Sequence, residues 1–175
     1  MTSYSSLART VNASVDSVKR WLQTLNQFYY CFPVQPWHKN ISRALRKEPK
    51  YFLWDWTLVP NRGARLENVV ASALLKATHF WTDHGLGEFG LFFLRDKQKR
   101  EVDFLISKNG QPWFLVEVKA SHKAGLSRNL AYFQQQSGAD HALQLAFDLP
   151  AVERDCFELE RPGIVPAATF LAQLV

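Results

Sequence analysis

The chain has 175 residues, 47% of them hydrophobic and 21% charged, which is enough apolar material to bury a core and too much for a disordered tail. No stretch approaches the ~20 apolar residues of a membrane-spanning helix, the N-terminus lacks the basic and apolar segments of a secretion signal, and two cysteines, Cys31 and Cys156, are too few for a disulfide framework or a cysteine metal cluster. The net charge is +5, with eight Lys/Arg against three Asp/Glu in residues 1–60, eleven against seven in 61–130 and two against six in 131–175. A basic front and middle with an acidic tail suits a polyanionic partner such as nucleic acid, DNA above all, and without a signal or a span the chain reads as cytoplasmic with no membrane partner.

The turn-forming cluster Pro60-Asn61-Arg62-Gly63 divides the chain into residues 1–60 and 61–175. In the first part, a short helix is predicted over about Ser5–Val11, followed by a turn at Asn12-Ala13 and a second helix N-capped by Ser14. Val15, Val18, Leu22 and Leu25 form one apolar stripe of that helix. Lys19 and Arg20 fall on its solvent side, where they are candidate nucleic-acid contacts. Phe28–Val34 and Tyr51–Trp54 read as strands, with Pro33 at an edge or end, and the basic run from Arg43 to Lys50 precedes the second. Helix-turn-helix and then a β-ribbon is the order of a winged helix. The same small elements also serve elsewhere as spacers or as contacts between protein domains.

The second part begins with a helix over Arg65–Lys76, whose apolar face is Leu66, Val69, Val70, Ala73 and Leu74, with Glu67 beside it. Strands are predicted at Phe89–Leu94, Val102–Ile106 and Trp113–Val118, with Asn109-Gly110 as a hairpin signal between the last two. A helix at about Leu126–Gln136 and a strand at Ala142–Phe147 follow. Helix, three-stranded meander, helix and strand in that order give an α/β sandwich around a mixed sheet.

Three places put acids where a core prefers apolar side chains: Glu67 on its helix, Asp103 inside a strand, and Glu117-Val118-Lys119 closing an apolar strand. Residues i and i+2 of a strand share a face, so Glu117 and Lys119 point the same way. Such groups cost desolvation energy unless they are paired or serve a site. Hairpin parity decides whether Asp103 joins them. A two-residue loop at Asn109-Gly110 places Val102 opposite Glu117 and turns Asp103 away, whereas a three-residue loop ending at Gln111 sets Asp103 opposite Glu117. A site therefore requires an odd loop.

The chemistry open to such a cluster is metal-assisted phosphodiester hydrolysis. Asp103 and Glu117, with the Val118 carbonyl, are hard oxygen ligands for Mg²⁺ or Mn²⁺. Lys119 orients or helps deprotonate the attacking water and offsets charge on the phosphate. Glu67 holds a metal-bound water or a second metal. The competing reading is a structural salt bridge between Lys119 and either acid.

Glu67, Asp103 and Glu117-Val118-Lys119 resemble the PD-(D/E)xK pattern of restriction enzymes and Holliday-junction resolvases, with Val102 where the motif has proline. Over roughly residues 5–147 the chain resembles more closely the C-terminal half of a family of archaeal and bacterial AAA+ ATPases. The resemblance rests on Ser14–Leu22, Pro49–Asp55, Gly63–Asn68, Glu101–Phe104 and Val116–Lys119. It implies a winged helix followed by a restriction-endonuclease-like α/β sandwich of unknown function. A chain of that kind is a Mg²⁺-dependent nuclease or nuclease-like DNA-binding protein. Alternatively, it is a catalytically silent module that contacts DNA, an ATPase subunit or a second copy of itself. The sequence has no Gly-x4-Gly-Lys-Ser/Thr, so no nucleotide cofactor is expected and the chain reads as a detached or truncated C-terminal half.

The five histidines, His38, His79, His84, His122 and His141, lack metal-ligand spacing. Lys123 beside His122 is a candidate phosphate contact. Tyr132 and Gln134 are candidates to face the site, with core packing the better reading for Tyr132. The tryptophans, Trp21, Trp37, Trp54 and Trp56 among them, are candidates for stacking on bases or for packing between the two parts.

Overall fold

The computed structural model describes residues 3–37 and 48–175. His38 and the part of the basic run before Lys50 that spans Arg43 to Lys47 lie outside the described residues. Two short helices, α1 (Tyr4–Thr10) and α2 (Val15–Gln27), open the chain. Ser14 caps α2 as its sequence predicts, its hydroxyl accepting from the Ser17 N–H at 3.0 Å. The predicted stripe of α2 is only half used. Val18 is buried and Leu22 half-buried, but Val15 and Leu25 are exposed, because α2 lies over one end of the sheet and not against its core.

Strands β1 (Cys31–Pro36) and β2 (Lys50–Leu53) follow. The first strand starts three residues later than its aromatic pattern suggests, and Phe28, Tyr29 and Tyr30 remain exposed. Pro33 is tolerated because this part of β1 has β2 on one side only; pairing with β3 is confined to Gln35 and Pro36. The helix α3 (Arg62–Asp83) is N-capped by Asn61 and runs well past the predicted end. Its Asn68 side chain closes the edge of β2, accepting from the Leu53 N–H at 2.8 Å and donating to the Leu53 carbonyl at 2.6 Å.

The meander β3 (Phe89–Arg95), β4 (Glu101–Lys108) and β5 (Gln111–Lys119) comes next. It is followed by α4 (Arg128–Ser137), β6 (His141–Ala146), β7 (Gly163–Pro166) and α5 (Ala167–Leu171). The seven strands form one mixed sheet in the order β2-β1-β3-β4-β5-β6-β7. The β1–β3, β5–β6 and β6–β7 pairs are parallel and the rest antiparallel. The β1–β2 ribbon is therefore an extension of the main sheet.

Alternation along β5 builds two cores. Phe114 and Val116 face a cluster with Val70, Ala71, Leu74 and Ala77 of α3 and Phe170 of α5. Leu115 faces the opposite side, with Leu130 and Phe133 of α4. Helices on both faces of a mixed sheet make this an α/β sandwich. Cys31 and Cys156 are free and buried. Among the described residues, no helix is long and apolar enough to cross a membrane.

Candidate functional site

The β4–β5 hairpin turns on two residues, not three. Asn109 and Gly110 have φ of 52° and 75°, the doubly left-handed form of a type I′ turn, and Lys108 pairs with Gln111. The odd residue is inside the ladder. Ser107 pairs with Pro112 but Ile106 pairs with Phe114, which leaves Trp113 as a bulge. Pro112 has no N–H to continue the ladder. The Trp113 ring is held against Trp81 at 5.5 Å and stacked on Phe157 at 5.5 Å. The bulge shifts parity as a three-residue loop would, so the register beyond Phe104↔Val116 sets Asp103 opposite Glu117.

Asp103 also sits where β4 has one residue more than β3, between the Phe92↔Leu105 and Leu94↔Val102 pairs. Its Oδ2 accepts the Val118 N–H at 2.8 Å, past the end of the backbone ladder. Glu117 and Lys119 share a face, as their spacing predicts, with Lys119 Nζ 2.7 Å from Glu117 Oε1. The other oxygen, Glu117 Oε2, is buried with no hydrogen-bond partner among the described residues. A buried carboxylate oxygen without a donor is an unsettled charge.

The electrostatics show the same strain. Burial, then repulsion from Glu117 and Glu67, pushes Asp103 up to about 7. Burial works against the charge on Lys119, but its hydrogen bond to Glu117 and the attraction of Glu117, Asp103 and Glu67 outweigh it and raise its pKa. The structure thus brings together all four predicted side chains, Glu67, Asp103, Glu117 and Lys119.

It also adds two that the sequence reading missed. Lys50 of β2 is only 8% exposed and reaches into the acids. Its Nζ is 2.9 Å from Glu67 Oε1, 2.5 Å from Glu101 Oε1 and 3.9 Å from Asp103 Oδ1. Burial disfavours its charge, yet the attraction of Glu67, Asp103 and Glu101 prevails and its pKa is raised. Glu101 pairs in addition with Arg95. Parity offered a signal for both residues. Glu101 is two residues from Asp103, and Lys50 shares a strand face with buried Phe52. Among the described residues, no three His, Cys, Asp or Glu side chains are gathered as a ready-made metal cage. Hard oxygen donors and the orphaned Glu117 Oε2 nevertheless suit a divalent cation in chemistry.

The remaining candidates lie on other parts of the surface or serve the scaffold. Lys19 and Arg20 are exposed on α2, with Lys19 3.7 Å from Asp16. Lys123 is exposed on the single 3-10 turn after β5. His122 belongs to a closed knot around Asp148, which accepts from the Ser121 hydroxyl at 2.6 Å and the His122 N–H at 2.9 Å and lies 3.0 Å from His122 Nδ1. The Ser121 bond, then the bonds from His122, holds Asp148 down to about 2. Beside it, the fully buried Gln144 accepts from the Ser127 N–H and donates to the Gly125 carbonyl, both at 2.8 Å. Gln134 does not face the acids. Its amide donates to the carbonyls of Asp140 and Glu160. Tyr132 packs against the α4-side core, with the Arg100 guanidinium 3.8 Å from its ring centre. Trp81 and Trp113 are inward, Trp37 packs on Phe92 at 4.9 Å, and Trp21, Trp54 and Trp56 are exposed.

Residues 62–154, just over half the chain and the part that supplies Glu67, Asp103, Glu117 and Lys119, match the family model described as Domain of unknown function (DUF4143). The chain belongs to that family. A second model, Domain of unknown function (DUF8612), matches residues 1–65 and so covers Lys50. The site of this DUF4143 member is thus completed by a side chain from outside the DUF4143 match. Two uncharacterized proteins, one of Mycobacterium bovis and one of Mycobacterium tuberculosis, are each 24% identical to this chain over 139 residues, covering 71% of it and 30% of the relative. The chain therefore spans under a third of the length of these curated relatives. No solved structure matches it.

Proposed function

We propose that Glu67, Asp103, Glu117 and Lys119 form a divalent-cation site for phosphodiester hydrolysis, on DNA as the substrate class. The observation that carries this reading is Glu117 Oε2, a buried carboxylate oxygen without a hydrogen-bond partner among the described residues, beside an Asp103 whose charge is resisted by burial and by Glu117 and Glu67. Asp103 and Glu117, with the Val118 carbonyl, would hold Mg²⁺ or Mn²⁺. The bound cation supplies a water of lowered pKa and polarises the phosphate. Lys119, 2.7 Å from Glu117 Oε1, orients the attacking water and offsets charge on the phosphate. Glu67, carried by α3, would hold a water for the same cation. In this reading the sandwich is restriction-endonuclease-like, α1 to β2 act as a winged helix, and Lys19, Arg20 and Lys123 are phosphate contacts. An ATPase acting with it would be a separate subunit or another part of a longer chain, since these residues contain no P-loop.

A second reading is favoured by Lys50, which already neutralises Glu67 and Glu101. In that case the acids and lysines are a structural network, and the chain is a silent module that binds DNA, an ATPase subunit or a second copy. Nicking of plasmid and branched DNA with Mg²⁺ or Mn²⁺ separates the two. Cleavage by the native chain, abolished in Asp103→Ala and Lys119→Ala, establishes the nuclease. No cleavage, with gel-shift binding intact in all three proteins, leaves the module.

A further inference from the structure

The acids of the site come with a cation of their own. The Lys50 ammonium is buried, in contact with Glu67 and Glu101 and 3.9 Å from Asp103, and Phe93 lies under it, its ring centre 5.3 Å from Nζ. Four carboxylates meet here, Glu67 from α3 and Glu101, Asp103 and Glu117 from the sheet. Lys50, Lys119 and Arg95 are the cations that pair with them. The negative charge is answered unevenly. Glu67 and Glu101 share the Lys50 ammonium, while Glu117 pairs with Lys119 through Oε1 only and its Oε2 has no hydrogen-bond partner among the described residues.

We propose that Lys50 is a tethered competitor of the divalent cation: it holds Glu67, Glu101 and Asp103 together in the metal-free chain and sets the cation concentration at which the site loads. The inference rests on the cation site proposed above and assigns that site its regulation. A cation drawn to Asp103 and Glu117 meets a positive charge already within 4 Å of Asp103, and repulsion between charges at such range in a poorly solvated place is large. Loading therefore requires the ammonium to swing out of its contacts. Because Lys50 belongs to β2, any movement of that edge strand changes the affinity of acids carried by α3, β4 and β5. Lys50 is thus a positioning residue, acting through the carboxylates it holds.

Calorimetric titration of the full chain with Mn²⁺ tests this on the native protein, Lys50→Gln, Lys50→Arg and the double variant Lys50→Gln/Glu117→Gln. Lys50→Gln is expected to bind Mn²⁺ about tenfold tighter than native. Lys50→Arg, which keeps the charge, binds no tighter than native, and the double variant loses the gain. Binding by Lys50→Gln alone also supports the competition, with Lys50 as the block in the native chain. Native binding that Lys50→Gln leaves unchanged or weakens overturns the role of Lys50 and leaves the cation site standing, whereas a gain that survives in the double variant puts the metal away from Glu117 and overturns both. No Mn²⁺ binding in any protein overturns both. Should Lys50→Gln not fold in metal-free buffer, refolding with Mn²⁺ present decides: a cooperative thermal transition supports substitution of the ammonium by the metal, and failure to recover one overturns it.

Discussion

Two polar clusters of this fold each contain an aspartate, and the two carboxyls end in opposite states. Around Asp148, each acceptor oxygen meets a donor from Ser121 or His122, and the carboxyl is held down to about 2. Around Asp103, acids face acids, the carboxyl is pushed up to about 7, and Glu117 keeps an oxygen without a partner. The first cluster fastens a loop. The second holds charge that the fold alone does not settle, the contrast on which the cation-site proposal rests.

Mutations separate the two. The largest loss of stability is expected at Gln144, whose replacement by Leu strands the Ser127 N–H and the Gly125 carbonyl in the interior; urea unfolding should show a loss of about 3 kcal/mol. Asp148→Ala, which releases the same loop from its surface side, should lower the urea midpoint by less than Gln144→Leu does.

The acid site behaves in the reverse sense. Asp103→Asn relieves repulsion, so the metal-free protein should gain about 1 kcal/mol at pH 8, seen as a raised melting temperature. The pH dependence has a definite sign. A carboxyl whose folded pKa lies above its unfolded value favours the folded state at low pH, and that contribution is lost as pH rises from about 4 through about 7. Asp103→Asn should flatten the stability curve across that window. Asp148, shifted the other way, contributes above the ordinary carboxyl range and loses that contribution as pH falls from about 4 through about 2. The smallest effects belong to exposed Lys19, Arg20 and Lys123: each change to Ala should lower the salt slope of DNA binding by about one and leave folding untouched. A slope unchanged in all three moves the polyanion contact elsewhere.

From α3 to β6 the architecture is legible in the sequence, because long apolar periodicities and Asn109-Gly110 are local signals. Glu67, Asp103, Glu117 and Lys119 stand out for the same reason, as charges breaking apolar patterns. What is not legible is set by distant pairing. β1 joins the sheet through Gln35↔Phe92 and Pro36↔Phe93, contacts that no local pattern announces. β7 is four residues long, too short for a period. Lys50 looks like the end of a basic run and becomes a buried member of the site only once β2 lies along β1. The stripe of α2 is real in its spacing, but the fold places only Val18 of it against a neighbour close enough to bury it.

The Trp113 bulge acts on this hairpin as a compensating insertion acts on a reading frame. The turn alone would put every side chain of β5 beyond it out of phase with β4, and the one extra residue restores phase before Glu117 is reached. Losing one residue between Pro112 and Phe114 would therefore exchange the two faces of β5 together, sending the apolar residues of one core toward the other and parting Glu117 from Asp103. Losing the bulge while lengthening the turn by one residue would restore the frame, so the hairpin constrains the sum of the two lengths more tightly than either one.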